Sequence, residues 1–437
     1  MDSRPATGKA LAHRRHPIES LVGPYGLVGR VYPPSTQRGL WRLQECVADL
    51  GSGLPGHPPT PSHRVLGAGR ALDDLGLART TAIAEAAERY SGHSLHGDPV
   101  WARVADLDGA VLDVTRIPRC SAREYAHPGC LAVPFDQNAS IRWVKGTDLA
   151  SAEKMWVPAV MACFGVREVV PGERFWYSIS TGYAVHTDPA EALVRAICEV
   201  AERDIVAIGW LQRLPLPPLS PGVLTDGARY LVRWAEEHFV RAHVLDATTD
   251  LGVPTAYCLL IAEHDERVGQ TVGCGCGRSM GAAAEKAVVE ALAARSMLHR
   301  GEPGPQSYEQ FTSIDDGARY MAAPDRATAF DFLTGDAERA ASAGTSALPD
   351  DPADALSHLI RMLAEAGMRA IAVDRTTREL AEAGLTAVAA VIPDLQPMTL
   401  HPLTQFRAHP RLYALPARMG YRCLSEEELN PWPQPFP

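Results

Sequence analysis

Two glutamate pairs, each followed by an arginine, are the residues of this sequence whose type and spacing best suit a chemical role. The pattern Glu-x-x-Glu-Arg occurs at residues 85–89 and again at residues 199–203. Because residues three and four apart lie on one face of an α-helix, each pair presents two carboxylates together. Such like charges repel one another unless a cation compensates them. Mg2+ prefers carboxylate oxygens and substrate phosphates, and arginines bind phosphate oxygens, so the pattern indicates a candidate magnesium–phosphate site.

Both patterns belong to an imperfect internal repeat. Each copy joins a glycine-containing stretch, which we expect to be a loop, to a helix. The copies are residues 67–92, 180–207 and 273–296. In the third copy, Lys286 and Glu290 match the front half of the pattern, whereas Ala293 and Ala294 stand where the other copies have Glu and Arg. The repetition, in Ala-rich helices suited to close packing, favours a shared site over three unrelated charged surfaces.

Some of these residues also have a purely structural interpretation. A single Glu-x-x-Glu-Arg is more typical of a solvated helix face with local ion pairs than of a ligand site. Asp188-Pro-Ala-Glu191 predicts a helix-capping box as readily as it predicts a ligand role for Glu191. The glycines are weak phosphate signals, because the sequence has neither a GxxxxGK[ST] loop nor a GxGxxG within a βαβ unit. A familiar nucleotide-binding fold is therefore disfavoured.

The elements that must position these residues are a mixture of helices and strands. Apolar periodicity and closing glycines predict helices at 355–367 and 375–384. Strands are predicted at residues 141–149, 155–162, 253–263, 368–374 and 385–392. The predicted fold class is therefore α+β or mixed α/β.

Composition excludes several classes of protein. The chain has 437 residues, of which 46% are hydrophobic and 22% charged, so it is not disordered as a whole. A net charge of -10 makes nucleic acid an unexpected partner. We find no signal peptide and no run of the roughly 20 apolar residues that a membrane span needs, so we expect a cytoplasmic protein without a membrane partner.

The cysteines and histidines offer no alternative chemistry. Nine cysteines without regular spacing do not describe a disulfide framework. Cys274 and Cys276 form half of a zinc motif, but the sequence has no second pair to complete four ligands. No Ser/His/Asp or Cys/His nucleophile motif is visible, so we do not expect a covalent peptide intermediate.

The repeat resembles the nucleotide motifs of the YcaO family. Members of this family bind ATP and Mg2+ with Glu-rich helices rather than with a P-loop, and their fold contains mixed sheets. The first copy resembles the family's first nucleotide motif, and STGYAVHTDPAEALVRAICEVAERDIVAIGW at 180–210 resembles its second and most specific motif. Residues 143–159, 391–397 and 411–422 resemble other family segments. The resemblance thus covers most of the chain and implies a YcaO fold.

The resemblance implies roles for individual residues. The implied Mg2+ ligands are Glu85, Glu88, Glu199, Glu202 and Glu290. The residues implied to surround the nucleotide are Thr81, Arg89, Glu191, Arg203 and Lys286. The departures from the family pattern are Thr181 for Asn, His186 for Gly, Lys286 for Arg and Ala293 for Gln. Lysine still offers phosphate a point charge, whereas Ala293 removes a polar group from the third motif.

The Pro-rich residues 430–437, NPWPQPFP, resemble the terminus of azoline-forming members. In such relatives this tail lies near the nucleotide site, which implies a catalytic role for Pro433, Pro435 and Pro437. Alternating prolines hold a stiff, extended conformation. Composition alone favours a frayed end, or a ligand for an aromatic groove on another protein, over a catalytic role for this tail.

The implied activity is ATP-dependent cyclodehydration of Cys, Ser or Thr in a precursor peptide to thiazoline or oxazoline. We expect a flexible segment at 1–20, an ATP-binding catalytic domain at 21–430 and the tail at 431–437. Nothing here resembles a leader-binding domain, so an E1-like (ThiF-like) partner protein is expected. The family also implies a homodimer and a flavin-dependent dehydrogenase in the same complex.

Two other functions fit the same motifs. A YcaO enzyme of different outcome would form a thioamide or a macroamidine with an identical ATP site. A nucleotide-binding scaffold of a modification complex would bind ATP without performing the chemistry.

Overall fold

The structure is a computed structural model that describes residues 16–34, 40–50, 66–93, 99–335 and 340–436. Pro437 and residues 1–15 of the predicted flexible segment lie outside the described residues. Within these ranges, no helix combines the length and the apolar character needed to cross a membrane.

The described chain mixes helices and strands throughout. The strands are β1 (Arg30–Tyr32), β2 (Leu43–Asp49), β3 (Leu66–Leu72), β4 (Val100–Ala102), β5 (Ala110–Val111), β6 (Ile141–Asp148), β7 (Lys154–Pro158), β8 (Tyr183–His186), β9 (Arg241–Asp246), β10 (Thr255–Ile261), β11 (Gln270–Cys276), β12 (Ile371–Asp374) and β13 (Thr386–Val391). The α-helices are α1 (Leu75–His93), α2 (Ala122–Ala126), α3 (Ala159–Ala162), α4 (Pro189–Leu211), α5 (Asp226–Glu237), α6 (Met280–Arg300), α7 (Asp316–Met321), α8 (Asp331–Thr334), α9 (Pro352–Glu365), α10 (Arg378–Glu382) and α11 (Pro410–Arg418). Short 3-10 helices are Pro17–Leu21, Val104–Asp106, Val114–Arg116, Pro171–Glu173, Pro221–Val223, Tyr308–Gln310 and Pro324–Phe330.

Two three-stranded antiparallel sheets share one design. Strands β1, β2 and β3 form the first, with α1 following β3, and strands β9, β10 and β11 form the second, with α6 following β11. Gly67 in β3 and Gly273 in β11 lie so close to these helices that a Cβ atom would overlap the carbonyl oxygens of Ala82 and Ala287, respectively. The glycines of the first and third repeat copies therefore lie in strands packed on an alanine face, and the prediction that they form loops is wrong.

The second repeat copy belongs to a larger, mixed sheet of order β5-β7-β6-β12-β13-β8, with β4 also paired to β6. Only the β5–β7 pairing in this described sheet is parallel. Strand β8 lies at its edge and leads directly into α4. Gly182 just before β8 has a φ of 85°, a left-handed conformation that glycine adopts without strain, so this copy does begin with a loop. The predicted mixed α/β class is confirmed.

Several predicted elements are confirmed with shifted ends. The predicted strand at 253–263 is β10, and the helix predicted at 355–367 is α9. The strand predicted at 155–162 ends at Pro158, after which α3 begins. Near the N-terminus, the short helix Pro17–Leu21 packs Ile18 and Leu21 into the core. Residues 17–20 are therefore ordered, although they were predicted to belong to the flexible segment at 1–20.

Candidate active site

The cap at the start of helix α4 distinguishes between a capping role and a ligand role for Glu191. Asp188 accepts a hydrogen bond from the Glu191 N–H at 3.0 Å, and Pro189 occupies the first turn. The carboxylate of Glu191 instead forms ion pairs with Arg195, at 2.9 Å, and with Arg278. Asp188 therefore caps the helix, while the Glu191 side chain is held toward the loop before α6.

Backbone N–H groups hold three of the predicted glutamates. Each donor lies in or beside a strand, and each acceptor lies on a helix of the repeat. The pairs are Ala68 N–H to Glu85 at 2.8 Å, Gly182 N–H to Glu199 at 3.0 Å and Cys276 N–H to Glu202 at 2.8 Å. Glu85 and Glu199, which occupy the same position of the repeat, thus have the same kind of anchor, because the strand–helix geometry is repeated. The carboxylates are fixed in place before any ligand binds.

Basic side chains from α4 and α6 meet at Glu202. Its carboxylate contacts Arg203 at 2.7 Å and Lys286 at 3.1 Å, and only 1% of its side chain is exposed. Burial raises the pKa of Glu202, but Lys286 and Arg203 outweigh burial and lower this pKa to about 2. Glu202 is therefore ionised, and it joins the second and third copies of the repeat.

Glu88 and Glu199 have too little positive charge around them. Burial, followed by the charges of Glu199 and Glu85, raises the pKa of Glu88 well above its usual range, and Arg89 and Lys286 only partly offset this. Burial also raises the pKa of Glu199, despite the attraction of Arg203. These groups come from α1, α4 and α6, so all three copies of the repeat meet electrostatically. The cluster is short of a cation.

The remaining predicted residues lie around this cluster. Glu290 is 46% exposed and lies 3.8 Å from Arg70, and its charge raises the pKa of both Lys286 and Arg203. Thr81 is exposed on α1, one turn before Glu85. Arg89 pairs with Glu85 at 2.6 Å, while its buried Nε has no hydrogen-bond partner among the described residues.

These groups fit a magnesium–phosphate ligand. The raised pKa values at Glu88 and Glu199 indicate a place for an added cation, and Arg89, Arg203 and Lys286 offer donors to an anion. In the described part of the chain, no group of three or more His, Cys, Asp or Glu side chains forms a complete metal site.

Cys274 and Cys276 lie in and at the end of β11, beside this cluster. Burial raises the pKa of the Cys274 thiol well above its usual range. A hydrogen bond with Cys198, followed by burial, does the same for Cys276. Both thiols are therefore protonated, which suits small buried side chains better than metal ligands.

The Pro-rich tail is buried alongside α4. Residues 433–436 are buried, and Phe436 stacks edge-on against Tyr257 with ring centroids 5.5 Å apart. Successive contacts move along α4 toward Arg203: Asn430 N–H donates to the Leu211 carbonyl at 2.8 Å, Trp210 Nε1–H to the Trp432 carbonyl at 2.9 Å, and Gln434 Nε2–H to the Val206 carbonyl at 3.2 Å. The described tail is neither frayed nor free for a groove on another protein. Pro433 and Pro435 lie within it, whereas Pro437 is outside the described residues.

Sequence reasoning missed two arginines and the backbone donors. Arg278 pairs with Glu191, and Arg70 lies between Glu45, at 2.9 Å, and Glu290. Both arginines directly follow a glycine of the repeat, in GAGR and GCGCGR, and this shared spacing is the signal that could have identified them. The backbone donors have no side-chain signature in the sequence.

A protein-family model matches most of the chain. The model of the YcaO family, described as YcaO cyclodehydratase, ATP- and Mg2+-binding, matches residues 69–396. A curated relative from Rhizobium leguminosarum bv. trifolii, an uncharacterized protein in the tfuA 3' region, is 27% identical over 267 residues. That alignment covers 57% of this chain and 59% of the relative, so it spans less than two thirds of the relative's length.

Similar solved structures share the fold at low sequence identity. A heterocyclase in complex with substrate and cofactor has a TM-score of 0.79 at 20% identity, covering 96% of this chain and 57% of that one. A YcaO protein from Methanopyrus kandleri bound with AMPPCP and Mg2+ has a TM-score of 0.57 at 18% identity, covering 84% of this chain and 86% of that one. The E. coli microcin synthetase McbBCD complex with pro-MccB17 bound has a TM-score of 0.64 at 13% identity, covering 93% of this chain and 96% of that one.

Proposed function

The chain belongs to the YcaO family, and from this premise we propose that it is an ATP- and Mg2+-dependent cyclodehydratase that forms thiazoline or oxazoline in a ribosomal precursor peptide. The observation that carries the proposal is the cation-deficient carboxylate cluster. Glu88 and Glu199 have raised pKa values although Arg203 and Lys286 lie beside them. Such a cluster suits a metal-bound phosphate better than a structural ion-pair network.

In this proposal the glutamates are the metal ligands and the bases bind the nucleotide phosphates. Bound Mg2+ would neutralise the charge of the phosphates during transfer. Lys286 and Arg203 would donate to phosphate oxygens, as would Arg89 through its unpartnered Nε. The backbone N–H groups that anchor Glu85, Glu199 and Glu202 would keep the carboxylates oriented while their ion pairs rearrange. Glu191 and Thr81 would contact the nucleotide at the margins of the cluster.

The proposed reaction proceeds through an activated amide oxygen. The Cys thiol, or the Ser or Thr hydroxyl, loses its proton to solvent as its sulfur or oxygen adds to the preceding carbonyl carbon. The π electron pair of that carbonyl moves to its oxygen, which becomes an oxyanion. The γ-phosphoryl group moves from ATP to that oxygen with release of ADP. Phosphate then leaves with its C–O bond pair as the amide nitrogen loses its proton, which forms the C=N bond of the ring. Most of the catalysis would be positioning and electrostatics, as in other phosphoryl transfers.

The buried tail supports the azoline-forming branch of the proposal. Its contacts approach Arg203 along α4, so Pro433 and Pro435 would fix the path of the described tail toward the cluster. Proline has no titratable side chain, so these residues would act through the rigidity of the backbone. We therefore retain the domain at 21–430 as the ATP-binding catalytic domain and the tail at 431–437 as its extension.

We propose that the enzyme works with an E1-like (ThiF-like) leader-binding protein. The E. coli relative is a complex solved with pro-MccB17 bound, which supports a multiprotein enzyme. A homodimer and a flavin-dependent dehydrogenase in the same complex remain part of the proposal. Cytoplasmic location is proposed with them, because the substrates are intracellular ATP and a ribosomal peptide.

Mass spectrometry of a precursor peptide tests the function. The peptide, the partner protein, ATP and Mg2+ are incubated with this chain, and the expected product has lost one water for each ring. Processing should require the partner, and omission of the partner or of Mg2+ is the matched control. Exchange of oxygen for sulfur would indicate a thioamide, and loss of water at the peptide's amine would indicate a macroamidine. ATP binding with no peptide-dependent phosphate release would indicate a scaffold.

A further inference from the structure

A cleft opens beside the carboxylate cluster between β8, α4 and residues 390–398. Part of it is open to solvent. Arg203 and Val200 of α4 form one wall, together with Thr181, which directly precedes the Gly182 N–H that holds Glu199. The cleft and the proposed phosphate site therefore share Arg203.

The other walls of the cleft are apolar and held by packing. Phe164 and Tyr183 meet edge-to-face with ring centroids 4.9 Å apart, and Trp176 packs on Phe406 at 5.6 Å. Ile179 and Met398 add aliphatic surface. A preformed apolar cleft with aromatic walls is suited to a large apolar group.

Two buried polar atoms of the cleft's lining residues, Gln396 Oε1 and the Tyr183 hydroxyl oxygen, have no hydrogen-bond partner among the described residues. Gln396 is 1% exposed, and its Oε1 has no hydrogen-bond partner among the described residues. The rest of this residue is fixed, because its backbone N–H donates to Asp204 at 2.8 Å and its Nε2–H donates to the Gln405 carbonyl at 3.0 Å. A buried acceptor without a donor is costly, so a ligand that brings an N–H group would be favoured.

The position of the cleft favours the peptide over the nucleotide base. Glu191, at the start of α4, lies twelve residues before Arg203, which corresponds to about 18 Å along a helix. If the proposed nucleotide extends from Glu191 to the carboxylate cluster, the Arg203 end faces the reacting amide. In cyclodehydration the attacked carbonyl belongs to the residue before the Cys, Ser or Thr, so the side chain of that residue lies next to the reacting carbon.

We propose that this cleft binds the side chain of the residue that precedes the cyclised Cys, Ser or Thr, selecting a large apolar or aromatic side chain, with Gln396 Oε1 accepting a hydrogen bond from the peptide backbone. The inference rests on the proposed function. It adds a substrate preference: peptides with Leu or Phe before the reacting residue are better substrates than those with Gly.

Binding and cyclisation of a peptide series test this inference. The probes are peptides Ac-Gly-Gly-Xaa-Cys-Gly-Gly-NH2 with Xaa Gly, Leu or Phe, titrated calorimetrically into the protein, and the same Xaa changes in a precursor peptide for cyclisation. Wild-type protein should favour Phe over Gly by about 10- to 100-fold, as expected for filling an apolar pocket. Ile179→Trp, which fills the cleft from a half-buried position, should remove this preference while the Gly peptide keeps its affinity. Ile314→Trp, at an exposed site, is the matched control and should keep the preference.

Gln396→Met removes the acceptor at similar size and should weaken every peptide of the series by about fivefold, because the backbone N–H is common to all. Equal binding of all Xaa peptides to wild-type protein would overturn the inference. So would loss of adenosine or AMPPCP binding in Ile179→Trp with the Xaa preference intact, which would assign the cleft to the base. A Phe preference in binding without ring formation would refute the proposed function but keep the cleft as a side-chain site.

Discussion

Helix α4 carries two buried charge networks of opposite character on neighbouring residues. Glu202 and Arg203 face the carboxylate cluster, in which the pKa of Glu88 is raised by burial and by the nearby acids. Asp204, the next residue, is fully buried on the other side and pairs with Arg411 at 2.8 Å. Arg411 also contacts Asp250 at 2.7 Å. The first network is short of a cation. In the second network both acids pair with arginine, although burial raises the pKa of Asp204 as well.

The difference separates a structural network from the site that we propose to be functional. The Asp204–Arg411 network joins α4 to α11 and, through the Gln396 N–H, to the segment that lines the cleft. A network whose charges are matched by buried partners needs no ligand. The cluster around Glu88 and Glu199 keeps an unfavourable excess of acids, which a structural role would not require and a bound cation would relieve. Changes in the two networks should therefore affect different properties.

The largest expected effect is on stability, from Arg411→Met. This change leaves Asp204 buried and unpaired, and losing one partner of a buried pair costs about 3–5 kcal/mol of unfolding free energy. Urea unfolding measures the loss. Arg418→Met is the matched control, because this side chain is 52% exposed where it meets Asp250, and its loss should cost less than about 1 kcal/mol. Equal effects of the two changes would contradict a structural role for the buried pair.

The next effect is on activity, from Glu199→Gln and Glu202→Gln. Each should lower Mg2+-dependent ATP turnover by about 100-fold or more, because both remove a charge that the proposed site needs for transfer. Removing the repelled acid at Glu199 should leave the unfolding free energy within about 1 kcal/mol of wild type. Glu237→Gln, an exposed change on α5, serves as the control in the same phosphate-release assay. Wild-type turnover in both variants would remove these residues from the site.

A smaller effect is expected from deleting Pro433 to Pro437. Ring formation should fall by about 10- to 100-fold, because the tail would no longer order the end of the site near Arg203. AMPPCP affinity should change much less. The deletion also removes the buried Phe436 and Gln434, so the assay is run below the lowered melting temperature of the variant. Cyclisation at the normal rate by the truncated, folded protein would end the proposed role of the tail.

The smallest effect is a pair of opposite pH dependences of stability. The pKa of Glu88 is raised above its ordinary value of 4.5, so the folded state holds this proton longer and stability falls as pH rises above about 4.5. Hydrogen bonding to Arg411 outweighs burial and lowers the pKa of Asp250 below its ordinary value of 3.8, so its contribution is present above pH 3.8 and lost below it.

Unfolding by urea in the absence of Mg2+ measures these slopes. Glu88→Gln should be more stable than wild type at pH 8, with the gain shrinking toward pH 4.5. Asp250→Asn should be less stable than wild type at pH 8, with the loss shrinking below pH 3.8. Slopes of the same sign in both variants would show that the two networks do not differ as described.

The spacing of glutamates and arginines along the sequence predicted much of the candidate site. The Glu-x-x-Glu-Arg patterns predicted paired carboxylates on helix faces, and the structure has Glu85, Glu199 and Glu202 on α1 and α4, each on a backbone amide. Spacing failed for the glycines of the first and third copies. A Gly-x-Gly run is compatible with both a loop and a strand, and only the alanine face of a neighbouring helix determines that it is a strand.

The sequence by itself determined the repeat, the mixed fold class and the pairing of acids with bases, because these depend on local periodicity along the chain. Tertiary structure alone decided which charges meet. Glu202 meets Lys286 across 84 residues, Asp204 meets Arg411 across 207, and the Trp432 carbonyl meets Trp210 across 222. Adjacent residues of one helix point in different directions, so Arg203 and Asp204 enter different networks. Sequence periodicity shows which residues share a helix face. It does not show which distant residues contact that face, because those contacts depend on how distant elements pack.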